Sequence, residues 1–173
     1  MDDEIVLVDL DGAPVGTAMK AEAHGPDTAL HLAFSCYVVD RDGRLLVTRR
    51  ALAKRTWPGV WTNSFCGHPR PAEPLLSAVH RRADAELGIR VRDVQLVLPL
   101  FRYRATDAGG TVENEICPVY IAVTDDAPDP DPREVAEFTW VSPAALVDAV
   151  EATPWAFSPW MVLQLGELER FHA

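Results

Sequence analysis

The sequence predicts an α/β fold: one domain with a mixed β-sheet sandwiched between helices. Three observations carry that expectation. Strand-like segments come first, one amphipathic helix interrupts them, further strands follow, and the chain closes in helices. No linker divides this run and no internal repeat is present. The 173 residues, 48% hydrophobic and 24% charged, suffice for one packed core, so the expected domain runs 1–173.

Each element has its own signal. IVLVD, from Ile5 to Asp9, reads as a short strand, with turns at DG and PVG. LHLAFSCYVVDRDGRLLVTRR reads as two strands, roughly Leu32–Val39 and Leu45–Arg49. They are joined at Asp42-Gly43, a dipeptide suited to a tight hairpin. In EPLLSAVHRRADAEL the apolar Leu75, Leu76, Val79, Ala83 and Leu87 recur at near-helical spacing, and Gly88 stands where a helix C-cap glycine belongs. VQLVLPLFRYRA, from Val94, and VENEICPVYIAVT, from Val112, are strands separated by the turn Ala108–Gly110. DDAPDPDPRE, Asp125–Glu134, is a proline-rich acidic surface loop. FTWVS is a late strand, and from Pro143 the chain reads as helices broken at Pro154 and Pro159.

Composition excludes several function classes. A net charge of −10 repels nucleic acid and anionic membrane, both of which need Lys and Arg against phosphate. No apolar run approaches the roughly 18 residues of a membrane span. The start, MDDEIVLVDLDG, is acidic and unlike a signal peptide, so the cytoplasm is the expected compartment. Three scattered cysteines make no disulfide framework. One segment runs against the overall charge: RRALAKR, Arg49 to Arg55, holds four cations in seven residues. An acidic chain with one basic segment suits a small anion better than a polymer.

Two motifs point to chemistry. In WTNSFCGHP an extended chain puts Cys66 and His68 on one side, with Gly67 allowing close backbone approach to a ligand. In ENE an extended chain puts Glu113 and Glu115 on one face, where a carboxylate pair is costly unless it holds a cation or a proton. The plainer alternative is an exposed strand end with solvated carboxylates. His24 and His31 are further candidates, while His80 reads as a helix residue. Three imidazoles and two carboxylates could form an N/O site suited to Mn²⁺, Mg²⁺ or Zn²⁺ rather than to a thiolate-based structural zinc. Cys36 and Cys117 fall in strand patterns and are assigned to the core; Arg49 and Arg55 are expected to be solvated or to help only by charge.

From Gly67 the chain matches the frame of the Nudix box: five residues to Glu73, seven more to Arg81-Arg82, and AELGI closing at Ile89. That family's helix normally carries glutamates that grip metal ions on a diphosphate. Here Arg82 and Ala85 replace two of them and Glu86 remains, which shifts the task from holding metal toward holding phosphate directly. KAEAHGPDTALHLAFS, RRALAKRTWPGVWTNSFCGHP, FRYRA, ENEICPVY and ATPWAFSPWM together resemble type I isopentenyl-diphosphate isomerase, a Nudix-fold enzyme. The similarity runs from about Val6 to Trp160.

The resemblance implies a single Nudix-type domain that interconverts isopentenyl and dimethylallyl diphosphate. It implies a catalytic pair at Cys66 and Glu115, and a metal site at His24, His31, His68, Glu113 and Glu115 holding Mn²⁺, Zn²⁺ or Mg²⁺. A Mg²⁺ bound with the diphosphate would use Glu86 and the main-chain carbonyl of Cys66. Lys20, Arg50, Lys54 and Arg82 match diphosphate contacts, and Tyr103 and Trp160 match pocket aromatics. The implied partner is a small diphosphate, and the implied assembly is a monomer or weak homodimer. Trp57, Trp61, Trp155 and Phe157 are core aromatics or help exclude water, which would quench a carbocation. Two other readings stay open: a Nudix hydrolase, and a non-catalytic binder of metal or diphosphate.

Overall fold

The computed structural model describes residues 4–171. Of the expected domain 1–173, residues 1–3 and 172–173 lie outside the described residues. The chain begins with β1 (Glu4–Val8), β2 (Pro14–Met19), α1 (Lys20–Ala23), β3 (His31–Leu32), β4 (Phe34–Val39) and β5 (Leu45–Arg50). It continues through β6 (Trp61–Thr62), β7 (Phe65–Gly67), α2 (Leu75–Leu87), β8 (Arg92–Leu98), β9 (Arg102–Thr106), β10 (Val112–Ile116) and β11 (Val119–Val123). It ends with β12 (Val135–Val141), α3 (Pro143–Ala152) and α4 (Pro159–Glu167).

The strands form two sheets. One has the order β2-β1-β3-β10-β9; the other has β12-β5-β4-β11-β8, with β6 on β5 and β7 on β4. The second sheet is covered by helices on both faces. Along β4, Phe34, Cys36 and Val38 pack with Ala78, Val79, Ala83 and Leu87 of α2. Tyr37 points the other way, to join Leu45 and Val47 against Leu146, Val150, Met161 and Leu165 of α3 and α4. Period-two alternation thus feeds two cores from one strand, and each fully buried large side chain contributes roughly 1.5–3 kcal/mol.

Three stretches expected as continuous strands each change sheet midway. The chain passes from β3 to β4 at Ala33, from β8 to β9 through Pro99, and from β10 to β11 through Cys117-Pro118. The crossings lie side by side: Ala33 N–H donates to the Ile116 carbonyl at 2.9 Å, Ser35 N–H to the Pro118 carbonyl at 3.1 Å, and Cys117 N–H to the Phe101 carbonyl at 2.8 Å. Proline has no N–H for a ladder, so Pro99 and Pro118 fall naturally at the breaks.

The expected β4–β5 hairpin is also opened. Its strands pair only at Val39–Leu45 beside the Asp42-Gly43 turn. Farther along, β6 and β7 wedge between them, Thr48 opposite Thr62 and Ser35 opposite Cys66. At the tip of the wedge side chains replace the missing ladder. Ser64 Oγ accepts from Val38 N–H and donates to the Leu46 carbonyl, both at 2.7 Å, while Asn63 Nδ2 donates to the Cys36 and Phe65 carbonyls at 3.1 and 2.7 Å. Buried backbone groups left unpaired would each cost about 1–3 kcal/mol, so the Asn-Ser pair makes the splay tolerable.

Between β5 and β6 the chain makes an excursion closed at its neck. Arg50 N–H donates to the Val60 carbonyl at 3.0 Å and Gly59 N–H returns to the Arg50 carbonyl at 3.1 Å. Helix α2 ends as expected: Gly88 has φ +63°, and its N–H bonds the Asp84 carbonyl. The acidic loop before β12 completes that end, with Asp129 and Asp131 N–H groups bonding the Leu87 and Glu86 carbonyls at 2.9 Å. Strand β2, where only a turn was expected, is an exposed edge with no apolar alternation.

Candidate active site

The junction of the two sheets opens into a cavity of about 460 Å³. Its wall takes Ala33 and Cys66 from the crossing strands, His24 from just after α1, Arg82 and Glu86 from α2, Glu113 and Glu115 from β10, and Trp160 from α4. Lys20, Arg50, Lys54, His68 and Tyr103 line it too. His31 is fully buried behind this wall.

Strand register explains how distant residues meet. In the parallel β3–β10 pair Glu115 lies opposite His31, and in the antiparallel β10–β9 pair it lies opposite Tyr103. Alternation turns Glu113 and Glu115 to the cavity. Asn114 faces away and donates to the Thr28 carbonyl at 3.1 Å. Across the wedge, β7 sets Cys66 opposite Ser35 and delivers His68 one step beyond the strand.

The three imidazoles gather, with ring centroids 5.1 Å apart for His24–His31 and His31–His68 and 5.7 Å for His24–His68. One ligand atom from each, with one from Glu115, all lie within 4.8 Å of one another. His24 Nε2 is 3.2 Å from Glu113 Oε2, and Glu115 Oε1 lies 3.4 Å from His31 Nε2 and 3.2 Å from His68 Nε2. His24 and His31 place Nδ1 at 3.1 and 2.9 Å from the carbonyls of Lys20 and Ala29, which orients each ring with Nε2 inward. His31 Nε2 and Glu113 Oε2 are buried without a hydrogen-bond partner. Burial pulls His68 down to about 3, against the bond its Nε2 makes to the Glu115 carboxylate, so it is neutral. Burial alone would raise the Glu115 carboxyl, but the His31 and His68 imidazoles beside it outweigh that and hold Glu115 well below the usual carboxylate range. Three imidazoles crowded with an ionised Glu115 oxygen, and buried polar atoms facing inward, fit a divalent cation.

Cys66 is half-buried at the wall. Its sulfur lies 3.3 Å from Ser35 Oγ and donates at 3.3 Å to Asn63 Oδ1. Burial pushes the thiol up to about 11, more than those two bonds lower it, so the sulfur carries its proton at neutral pH. Trp160 stands between Tyr103, 5.7 Å away, and Trp57, which meets it edge-on at 5.5 Å.

Cations collect around α1 and α2. Burial, then Lys54 and Arg82, lower the Lys20 ammonium from its usual range. Lys54 pairs with Glu134, and Arg82 with Glu86 and, at 3.3 Å, with Glu134. Cations crowded around one cavity suit a multivalent anion. Arg50 has its Nε and Nη2 engaged with the carbonyls of Thr56 and Trp57, at 2.8–3.1 Å, and lies 5.4 Å over the Trp160 ring. Those bonds hold Trp57 at φ +43°, a conformation a bulky residue avoids.

Several expectations change. Gly67 lines the cavity, and its missing side chain also leaves room for protein: a Cβ there would come 2.8 Å from Arg82 Cγ and 3.0 Å from the Phe34 ring. Gly67→Ala is expected to displace the Arg82 stem, lower the melting temperature by roughly 4–8 °C and weaken inorganic pyrophosphate binding several-fold. Unshifted melting and titration curves would refute this. Arg55 is not merely solvated, since it lines the cavity and donates to the Ala21 carbonyl. Trp155 is 81% exposed, neither core nor site. Glu73 and Arg81 of the Nudix frame pair with each other at 2.6 Å, and Arg81 also holds the His68 carbonyl at 3.2 Å. Glu134 was missed, because nothing in its acidic loop sets it apart from its neighbours. Cys36 and Cys117 are buried as expected.

The NUDIX family, described as NUDIX domain, matches residues 29–161. The chain is 64% identical over 169 residues to an isopentenyl-diphosphate Delta-isomerase of Clavibacter sepedonicus, covering 98% of this chain and 89% of that one. It is 67% identical over 160 residues to one of Agromyces mediolanus, covering 92% and 78%. Among solved structures, that of DR0079 from Deinococcus radiodurans is similar with a TM-score of 0.74 at 18% identity, covering 95% and 98%, a likeness of fold alone.

Proposed function

This chain belongs to the isopentenyl-diphosphate Delta-isomerase family and carries a NUDIX domain, and from that premise we propose that it interconverts isopentenyl and dimethylallyl diphosphate. One observation carries the reading. A single cavity is lined at once by a thiol, a carboxylate, an indole and a group of cations, from Cys66, Glu115, Trp160, Lys20, Lys54 and Arg82. A phosphate binder has no use for the first three, and an alkene isomerase needs all of them.

The reaction moves a double bond and conserves every atom. A proton adds to the terminal alkene carbon, the π pair forms the new C–H bond, and a tertiary carbocation results. Loss of a proton from the adjacent chain carbon leaves the isomer. Cys66 and Glu115 exchange roles as proton donor and acceptor, one step by one group and the other by its partner. The face of Trp160 offers a desolvated cation–π contact of about 2 kcal/mol. Tyr103 and Trp57 pack against that ring and keep water from the cation. Lys20, Lys54 and Arg82 take the diphosphate, with Arg50 beside them, and the anion replaces Glu134 as their partner.

His24, His31, His68, Glu113 and Glu115 would hold Mn²⁺, Zn²⁺ or Mg²⁺, and Glu86 with the Cys66 main-chain carbonyl a Mg²⁺ accompanying the diphosphate. When bound, these ions supply positive charge that neutralises phosphate and tunes a carboxylate. No helix among the described residues is long and apolar enough to cross a membrane. The three free cysteines suit the reducing cytoplasm, where we place the protein as a monomer or weak homodimer of one domain spanning 1–173.

Proton NMR of isopentenyl diphosphate in D₂O with Mg²⁺-supplied protein tests the reading. Dimethylallyl diphosphate carrying deuterium is the expected product. Loss of the diphosphate would transfer the assignment to a hydrolase. Unchanged substrate, with metal bound and the fold intact, would leave a binding module.

A further inference from the structure

We propose that Tyr37, Gln164 and Ser35 form a directed chain of hydrogen bonds that positions the Cys66 sulfur, with Asn63 as its terminus; this deepens, and rests on, the isomerase reading. All four are completely buried behind the cavity wall. Tyr37 Oη donates to Gln164 Oε1 at 3.0 Å, which fixes the amide so that Nε2 donates to Ser35 Oγ at 2.9 Å. Ser35 then has its own proton to give, and sulfur faces it, Cys66 Sγ at 3.3 Å and Cys117 Sγ at 3.4 Å.

The other end is fixed independently. Asn63 Nδ2 is committed to the Cys36 and Phe65 carbonyls at 3.1 and 2.7 Å, so Oδ1 must face the thiol as an acceptor. Cys66 Sγ donates to it at 3.3 Å. The links from phenol to amide, from amide to hydroxyl and from thiol to the Asn63 oxygen each have one sense, and the chain is completed when Ser35 gives its proton to Cys66, the nearer of its two sulfurs. The polarity leaves the sulfur one accepted bond and one donated bond, so its S–H direction is set before substrate arrives.

Asn63 Oδ1 also accepts from Trp160 Nε1 and from Thr62 Oγ1, both at 2.9 Å. The thiol is the longest and weakest of three donors on one oxygen, hence the one released at least cost. When it gives its proton to the terminal alkene carbon, the S–H pair stays on sulfur, the π pair makes the C–H bond, and Ser35 still donates to the sulfur. Glu115 takes the proton lost from the adjacent carbon. One amide oxygen thus sets the thiol and the indole in a common frame.

The test uses Ser35→Ala and the isosteric Tyr37→Phe, which keeps the core volume if the first variant fails to fold. Steady-state turnover is expected to show kcat down about tenfold in Ser35→Ala and several-fold in Tyr37→Phe, with KM within twofold, the effect of one lost hydrogen bond. The infrared S–H band of Cys66, isolated by difference against Cys66→Ala, is expected to move to higher frequency in both variants, more in Ser35→Ala, where the sulfur loses its accepted bond, than in Tyr37→Phe, where the Gln164 amide loses the phenol that fixes it. A band that stays in place, or kcat and KM changing together, would overturn the positioning role. Inactivity of the parent protein would instead overturn the isomerase reading, and the band, recorded without substrate, would still decide the hydrogen bonds.

Discussion

Cys66→Ala is expected to abolish isomerisation while leaving substrate bound. Deleting one sulfur removes a proton carrier worth about 10²–10⁴-fold in rate, and the cations that hold the diphosphate belong to other elements. The fold has reasons to tolerate the change. Ser35 can turn its hydroxyl to Cys117 at 3.4 Å, and Asn63 Oδ1 keeps the Thr62 and Trp160 donors at 2.9 Å. No buried group is orphaned, so the melting temperature should move little. Deuterium incorporation followed by NMR, beside calorimetric titration with isopentenyl diphosphate, measures both halves. Turnover within tenfold of the parent would remove Cys66 from the chemistry.

Glu115→Gln is expected to lose turnover to a similar degree and to lose metal as well, which separates it from Cys66→Ala. The amide keeps the shape of the carboxylate but cannot take a proton. It also presents NH₂ or a weaker oxygen to His31 and His68, where Oε1 now lies 3.4 and 3.2 Å from their Nε2 atoms. Removing the ionised oxygen from the cluster should lower divalent-cation affinity by about 10–100-fold or more. Elemental analysis after dialysis reads it directly: Cys66→Ala should retain the parent's metal, and Glu115→Gln should not. Equal metal content in the two variants would mean that Glu115 is no ligand.

The face of β10 was legible because a strand has period two: Glu113 and Glu115 had to share a side, and they do. Helix α2 was legible through Leu75, Val79, Ala83 and the Gly88 cap, and the Asp42-Gly43 turn through its dipeptide. What local pattern cannot carry is pairing across long separations. Nothing in LHLAFS announces that the chain changes sheet at Ala33, or that β6 and β7 enter between β4 and β5. The first depends on distant partners such as Glu115 opposite His31, and the second on pairs such as Ser35 with Cys66 and Thr48 with Thr62. Asn63 and Ser64 carry no signal in WTNSFCGHP, because their work is to pair backbone that a local reading supposes already paired. Glu134 hid in an acidic loop, since composition cannot distinguish one carboxylate turned inward from several turned to water. β2 escaped because an exposed edge strand needs no apolar alternation.

The closed neck at Arg50, Gly59 and Val60 has an evolutionary corollary. Everything between the two sides of that neck, Lys54, Arg55 and Trp57 included, hangs from a sheet already sealed beneath it. Lengthening such a loop adds little closure cost, about 0.6 kcal/mol per doubling. The excursion is therefore close to a cassette: selection could exchange its cationic part, retuning which diphosphates are welcomed, provided that an aromatic stays where Trp57 meets Trp160.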